Sequence, residues 1–288
     1  MNCLFLLKIE GMKKLSKLIS ATRLIIHQPS LLNLIINENE VWKKTVDKKY
    51  SLGAGLPVID LETLFPEFRV EIPVFSFLDG GSLPTDIALL MNLAKTFNRC
   101  SYFEIGTWRG ESVVNVAENA DTCFTLNLTD EEMRSIGKSE AYIAQTGMFS
   151  KNKDNIIHLR GNSRHFDFAG IKQKFDLIFI DGDHHYDSVK NDTQQVFKHL
   201  VHDQSIVVWH DYARNPETVR FEVFAGILDG LPDFRHQYLY HVGNTLSAVF
   251  LNNKVLPTNP LKETNPPDHY FTLEITLKKM QSFITKQR

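Results

Sequence analysis

The sequence is poor in cysteine, with only Cys3, Cys100 and Cys123 among 288 residues. Their number is odd and no two of them stand at C-x-x-C spacing, which argues against a disulfide framework and against a zinc knuckle. Such a cysteine content fits a reducing compartment, so we expect a cytoplasmic protein.

The chain also lacks an excess of charge of one sign. It has 32 basic and 34 acidic residues, which gives a formal net charge of −2. There is therefore no global field to attract nucleic acid or an anionic membrane, and we expect neither as a partner.

A long apolar run is missing as well. The apolar stretch that starts at Met1 is short and is broken by Lys8 and Glu10, unlike a membrane span or a secretory signal. Met12, followed by two lysines, resembles a second translation start. Residues 1–11 are accordingly a candidate upstream extension of the reading frame.

Hydrophobic residues make up 43% of the chain, enough for a full core. From residue 99 onward, short apolar runs alternate with helical patterns, which favours a doubly wound, Rossmann-like α/β fold. We predict a seven-stranded, mostly parallel sheet, with an antiparallel edge because only a short connection joins the last two strands. The predicted strands are 101–105, 122–127, 156–159, 175–180, 205–209, 237–240 and 247–251.

This pattern divides the chain into three predicted segments. Residues 1–98 form a helical or irregular extension, expected to act as a lid or wall over the site. Residues 99–252 form the ligand-binding domain, and residues 253–288 form a C-terminal appendage.

The strongest local pattern is Tyr102-Phe-Glu-Ile-Gly-Thr-Trp-Arg-Gly-Glu-Ser112. It predicts a strand, a glycine-bearing turn and then a helix, whose free N–H groups face a ligand at the carboxyl end of the sheet. A dinucleotide site would have G-x-G-x-x-G, whereas this turn reads E-x-G-x-x-x-G. The carboxylate of Glu104 would repel a pyrophosphate, and it suits a ligand with a positive charge and an amino-acid head.

Residues Glu104 to Ser112 resemble the first motif of class I S-adenosylmethionine-dependent methyltransferases, and the resemblance covers roughly residues 80–252. It implies that Glu104 helps to hold the methionine end of S-adenosylmethionine, directly or through water. Asn127 and Asn162 follow the second and third strands, where many relatives have acids. The cofactor contacts predicted in this way are Glu104, Gly106, Thr107, Trp108, Gly110, Ser112, Asn127, Asn162, Ser163 and Asp181.

Ionisable side chains follow the fourth and fifth predicted strands, as Asp181-Gly-Asp-His-His185 and as His210-Asp211. Neighbouring strands would bring them into one cleft, and burying such groups costs free energy unless they are paired or bind a metal. Two roles compete. Either Asp181, His210 and Asp211 bind a divalent metal such as Mg²⁺, which acidifies a substrate hydroxyl, or no metal binds. In both cases the predicted proton-handling residues are Asp183, His184 and His185.

The pattern D-G-D-H-H-Y followed by H-D-Y resembles that of sugar- and antibiotic-tailoring O-methyltransferases. Some members of that group depend on Mg²⁺. The resemblance to them implies that Asp181, His210 and Asp211 bind Mg²⁺ and that His184 is the base, although His210 stands where those relatives have an acid.

The sequence thus predicts an enzyme that methylates a small-molecule acceptor on a hydroxyl group, with a homodimer as the default assembly. Two alternatives stay open. One is a catalytically degenerate methyltransferase fold that serves as a binding module. The other is an NAD(P)-dependent oxidoreductase, against which Glu104 argues.

Overall fold

The computed structural model describes residues 3–29, 31, 37–78, 80–252, 254–260 and 269–280, and of residues 3–13 it describes only the backbone. The helices are α1 (Cys3–His27), α2 (Glu38–Tyr50), α3 (Leu61–Leu64), α4 (Pro84–Lys95), α5 (Glu111–Val116), α6 (Asp130–Ser135), α7 (Glu140–Ile143), α8 (Tyr186–His199) and α9 (Phe221–Gly230). The strands are β1 (Val58–Ile59), β2 (Ser101–Ile105), β3 (Thr122–Asn127), β4 (Ile156–Arg160), β5 (Leu177–Ile180), β6 (Ile206–Trp209), β7 (Ala213–Asn215), β8 (Thr218–Val219), β9 (Leu239–Val242) and β10 (Ala248–Leu251).

The described residues build a sheet of eight strands in the order β1-β9-β10-β6-β5-β2-β3-β4. Strand β10 runs antiparallel to its neighbours β6 and β9, and the other pairs are parallel. The predicted Rossmann-like α/β class is confirmed. The sheet has one strand more than predicted because the short β1 pairs with β9, so β10 lies two strands in from that edge.

The central strands β5 and β6 are buried along their whole length, as parallel strands covered on both faces should be. Alternate residues of the sheet face two separate apolar layers. Phe103 and Trp209 pack with α8 and α9 on one face, whereas Tyr102 and Phe179 pack with α4 and α5 on the other. The two layers fix the carboxyl ends of β2, β5 and β6 side by side.

Helix α4 belongs to the segment that the sequence predicts as a lid, and in the structure it is part of the core. Residues 86–94 of this helix are all buried, and Leu89, Leu90 and Leu93 pack in the same apolar layer as Tyr102 of the sheet. Pro84 occupies the first turn, where its missing N–H costs nothing. The boundary at residue 98 stays a prediction, but α4 is held as firmly as the helices of the sheet itself.

The described parts of the predicted C-terminal appendage return to the sheet edge. Asn259 forms an isolated bridge with Val58, His269 lies 3.1 Å from Glu62, and the ring of Phe271 contacts that of Phe68. Within the described ranges, no helix combines the length and the apolar character needed to cross a bilayer.

A buried hydrogen bond ties α8 to the sheet and gives a test of this packing. The Trp209 indole donates to the Thr193 hydroxyl at 2.9 Å, and both side chains are fully buried. Thr193→Val keeps the shape but leaves the indole N–H without a partner, so we expect a loss of about 1–3 kcal/mol in the free energy of unfolding, measured by urea denaturation. Thr193→Ser keeps the hydroxyl and should lose less. A larger loss in the serine variant would contradict the importance of this bond.

Candidate functional site

Glu104, the acid of the first motif, is fully buried and does not reach the surface. Its carboxylate accepts hydrogen bonds from the hydroxyls of Tyr102 at 2.8 Å, Ser112 at 2.8 Å and Thr125 at 2.7 Å. The hydroxyl of Thr125 also contacts that of Thr107. Predicted contacts Thr107 and Ser112 therefore lie beside Glu104, and any influence of this acid on a ligand passes through them.

Burial has a large effect on the ionisation of Glu104. It raises the pKa of this carboxyl from its ordinary value of 4.5 to about 7, although the three hydroxyls that donate to it oppose the shift. Near neutral pH the acid is thus close to half protonated inside the sheet.

The two glycines of the turn are required by the packing of the protein itself. Gly106 has φ +104°, and a Cβ at this position would lie 1.8 Å from the carbonyl oxygen of Asp181. Gly110 has φ +83°, and its Cβ would lie 2.1 Å from the Ser150 hydroxyl. The turn after β2 consequently rests directly on the residue that ends β5, and this joins the two sequence motifs in space.

Trp108 has an unusual backbone conformation, with φ +34°. Its half-buried ring stacks on Tyr142, with centroids 5.3 Å apart, and the Arg109 guanidinium lies 4.1 Å from the ring centre. The indole Nε1 is buried without a hydrogen-bond partner. The ring thus packs between protein groups, and a contact of Trp108 with the cofactor stays a prediction.

The predicted contacts after β3 and β4 lie at the carboxyl ends of these neighbouring strands. Asn127 ends β3 and is half-buried. The backbone N–H of Asn162 donates to the Glu132 carboxylate at 3.2 Å, and the Asn162 side-chain oxygen accepts from the backbone N–H of Arg164 at 3.0 Å. Ser163 is hydrogen bonded to the carboxylate of Asp192. These groups lie on the same edge of the sheet as Gly106, as the sequence predicts.

Asp181, His210 and Asp211 form a compact cluster at the ends of β5 and β6. The Nδ1 atom of His210 lies 3.0 Å from the Asp181 carboxylate and 3.7 Å from that of Asp211, and one ligand atom from each residue lies within 4.8 Å of the others. Asp211 adopts φ +58°, a conformation that Asp tolerates better than most residues. Arg220 lies 3.3 Å from the outer side of this carboxylate.

A third carboxylate, which the sequence analysis missed, faces the same imidazole. Asp86 of α4 is fully buried and lies 3.6 Å from Nε2 of His210. It accepts hydrogen bonds from the backbone N–H groups of Leu83 and Leu246 and from the Ser247 hydroxyl. From the sequence, Asp86 is explained by its place in the first turn of a helix, where an acid interacts favourably with the helix dipole. The tertiary fold is needed to show that Asp86 also faces His210.

The charges around His210 determine its protonation. Burial alone would lower its pKa, but attraction to Asp181 at 3.0 Å, together with the nearby carboxylates of Asp211 and Asp86, outweighs burial and raises the pKa well above the usual range. Burial raises the pKa of Asp181. For Asp211, hydrogen bonding and attraction to His210 outweigh the effect of burial and lower the pKa. The raised pKa favours the protonated form of His210, which makes this residue a poor candidate to accept a substrate proton.

The three residues predicted to handle protons are the most exposed part of the site. Asp183 accepts from Ser188 at 2.7 Å and pairs with Nδ1 of His185, whose pKa this hydrogen bond raises. The ring of His184 stacks on that of His185, with centroids 5.3 Å apart. Because His185 is committed to Asp183, His184 is the better placed of the two to accept a proton.

Asp183 and His184 line one cleft together with the acidic cluster, and this cleft is open to solvent. Its walls combine five ionisable residues with the apolar side chains that end β5 and β6 or come from α8 and α9. The lining residues are Ile180, Asp181, Gly182, Asp183, His184, Val189, Trp209, His210, Asp211 and Val223.

Comparison with known proteins agrees with this geometry. Residues 103–212, which run from β2 to the end of the acidic cluster, match the sequence model of a family described as a methyltransferase domain. An uncharacterised protein of Acanthamoeba polyphaga mimivirus is 30% identical over 141 residues, which are 46% of this chain and 62% of the viral protein.

Two solved structures resemble part of the chain. An S-adenosylhomocysteine-bound methyltransferase of Podospora anserina is 16% identical, with a TM-score of 0.42 over 60% of this chain and 80% of that one. The O-methyltransferase TomG of Streptomyces achromogenes, solved with S-adenosylmethionine, is 15% identical, with a TM-score of 0.40 over 76% of this chain and 100% of that one.

The raised pKa of Glu104 predicts a pH dependence of stability. Below about pH 4.5 the carboxyl is protonated in both the folded and the unfolded state. As the pH rises toward 7, the carboxyl ionises first in the unfolded state, so the free energy of unfolding falls by roughly 3 kcal/mol. Glu104→Gln has no carboxyl at this position and should not show this decrease. Urea denaturation between pH 4.5 and 7.5 measures this difference. Glu67→Gln, at an exposed acid, is the control, and a Glu104→Gln profile parallel to that of the control would contradict the prediction.

The close approach of Gly106 to Asp181 predicts a severe effect of a single methyl group. Gly106→Ala should destabilise the protein by at least about 3 kcal/mol or prevent folding, because the new Cβ would overlap a backbone oxygen. Gly137→Ala is the matched control, since Gly137 has φ +81° with nothing within 4 Å, and should cost only about 1–2 kcal/mol of backbone strain. Equal losses for the two variants in urea denaturation would show that the contact is not tight.

Proposed function

We propose that this chain transfers a methyl group from S-adenosylmethionine to a hydroxyl group of a small-molecule acceptor. The observation that carries this proposal is the contact between the Gly106 turn and the backbone of Asp181. It sets the turn that resembles a cofactor-binding motif directly beside a cleft lined with groups suited to acid–base chemistry. The match of residues 103–212 to a methyltransferase domain supports the same assignment.

The chemistry needs little from the protein. The methyl group of a sulfonium is already activated, so the enzyme must align the acceptor oxygen opposite the sulfur and remove one proton. Alignment can lower the barrier by roughly 7–11 kcal/mol, and a positioned base typically adds about 10²–10⁴-fold in rate.

In this proposal His184 accepts the proton of the acceptor hydroxyl. It lines the cleft and is exposed, whereas His210 is buried among three carboxylates that favour its protonated form. Asp181 and Asp211 line the same cleft, where they would hold the acceptor by accepting hydrogen bonds. Asp183 fixes His185, which stacks on His184 and limits the orientations of that ring.

The same cluster fits a divalent metal ion. Two carboxylates and one imidazole converge within 4.8 Å, and this donor set suits Mn²⁺, Fe²⁺ or Zn²⁺ better than Mg²⁺, which prefers oxygen ligands. When bound, such an ion would polarise the acceptor hydroxyl and lower its pKa. The proton on Nδ1 of His210 competes for the same place, so metal affinity should rise with pH.

Glu104 also bears on the oxidoreductase alternative. A carboxylate this close to the turn disfavours a pyrophosphate, and here it is buried beneath the turn with hydroxyl partners. We therefore expect no binding of nicotinamide dinucleotides.

Calorimetric titration of the full chain tests this proposal. We expect S-adenosylmethionine to bind with micromolar affinity and NAD or NADP not to bind. We also expect Mn²⁺ to bind, and Asp211→Asn to weaken it at least about tenfold by removing a charged ligand, while the affinity for S-adenosylmethionine stays within twofold. Asn tolerates the left-handed backbone of this position.

The matched control is Asp203→Asn, which makes the same chemical change at an exposed site and should leave both affinities unchanged. Equal Mn²⁺ binding by wild type and Asp211→Asn would exclude the metal site but leave methyl transfer intact. Failure of wild type to bind S-adenosylmethionine would contradict the proposed function and favour a binding module that has lost its cofactor.

A further inference from the structure

The charge of this chain is unevenly distributed along its length. Residues 1–37 contain five basic residues and one acidic residue, although the whole chain carries a net charge of −2. The remainder is therefore net acidic. From residue 11 to residue 37 there is no acidic residue at all, so the net-charge argument against an anionic partner does not apply to this end of the molecule.

Helix α1 occupies this basic stretch and offers its side chains to solvent. Its described side chains, residues 14–27, are exposed, except for half-buried Ile25. Large apolar side chains are among them, with Leu18 64% exposed, Ile19 62% and Ile26 71%. An apolar surface of this kind on an otherwise well-packed chain marks an interaction site.

Four of the large apolar residues of α1 share one face, while Leu24, which is 57% exposed, lies on the opposite side of the helix. Leu15, Leu18, Ile19 and Ile26 follow one another at spacings of three, one and seven residues, which keeps them within about one third of a helical turn. At 100° per residue, Lys14 lies at the border of this face and Lys17 lies on the far side. Long lysine side chains at the border of an apolar face can extend their ammonium groups toward negative charges at the level of that face.

This arrangement suits a flat surface that is apolar inside and anionic outside. A second copy of α1 fits less well, because pairing two such faces would also bring together lysines and arginines with no acidic partner among residues 14–27. Nucleic acid would be met by lysines but would leave the leucine and isoleucine face exposed. An anionic phospholipid surface satisfies both the apolar face and the positive charge.

We propose that α1 lies along the surface of an anionic phospholipid bilayer and attaches the protein to it reversibly. This departs from the expectation, drawn from net charge, that a membrane is not a partner. The acidic remainder of the chain would be repelled by the same surface, so the attachment holds the cleft away from the lipid head groups while keeping it near the membrane. The inference does not depend on the proposed methyl transfer.

Co-sedimentation of the full chain with lipid vesicles tests the proposal. We expect binding to vesicles of phosphatidylcholine mixed with phosphatidylserine, little binding to phosphatidylcholine alone, and release when the ionic strength is raised well above about 0.1 M. Replacing Lys14 and Arg23, which lie at the two borders of the apolar face, together by glutamate should weaken binding at least about tenfold. Replacing Leu18 and Ile19 together by serine should weaken it to a similar degree through the loss of buried apolar area.

The matched control replaces Lys44 and Lys48 of α2 together by glutamate, which makes the same change in net charge on exposed lysines outside α1, and should keep wild-type binding. Circular dichroism confirms that each variant folds. The proposal is overturned if the control loses as much binding as the α1 variants, if neutral vesicles bind equally well, or if wild type does not bind vesicles. It is also overturned if sedimentation velocity shows that α1 holds a dimer that does not bind vesicles.

Discussion

The backbone of Asp181 packs against Gly106 so closely that no side chain fits between them, and the functional site depends on this contact. The N–H of Asp181 donates to the carbonyl of Ile105, which continues the ladder between β2 and β5 one residue past the strands. The same register sets His210 beside Asp181, because the N–H of His210 donates to the carbonyl of Ile180. Parallel pairing of three buried strands thus brings the glycine turn and the acidic cluster to one edge.

One imidazole and one guanidinium face the carboxylates at this edge. Asp181 and Asp211 approach His210 from the cleft, Asp86 approaches it from the core, and Arg220 lies 3.3 Å from Asp211. Such a cluster is costly to bury unless a proton, a metal ion or a cationic ligand balances it. The sulfonium of S-adenosylmethionine carries a positive charge, and a net negative cleft would attract it.

The sequence predicted the parts of the fold that depend on local pattern. Strands β2 and β3 have the predicted bounds because apolar residues fill them and turn residues flank them. Strand β1 was missed because two residues carry no periodicity, and its pairing with β9 is a tertiary contact. The sequence placed Asp181 and His210 in one cleft, but it could not show that the carboxylate of Glu104 is enclosed by hydroxyls rather than open to a ligand. Tyr102 and Glu104 are two residues apart on one strand and therefore point to the same face of the sheet. This spacing was the signal in the sequence for the hydrogen bond between them.

A crystal structure of the full chain with S-adenosylhomocysteine would show whether this cleft is the place of methyl transfer. We expect the amino-acid end of this ligand to lie over the Gly106–Gly110 turn, with the sulfur facing the cleft that His184 and Asp181 line. A ligand bound elsewhere, or a sulfur that faces away from these side chains, would contradict the assignment of this cleft as the place of methyl transfer.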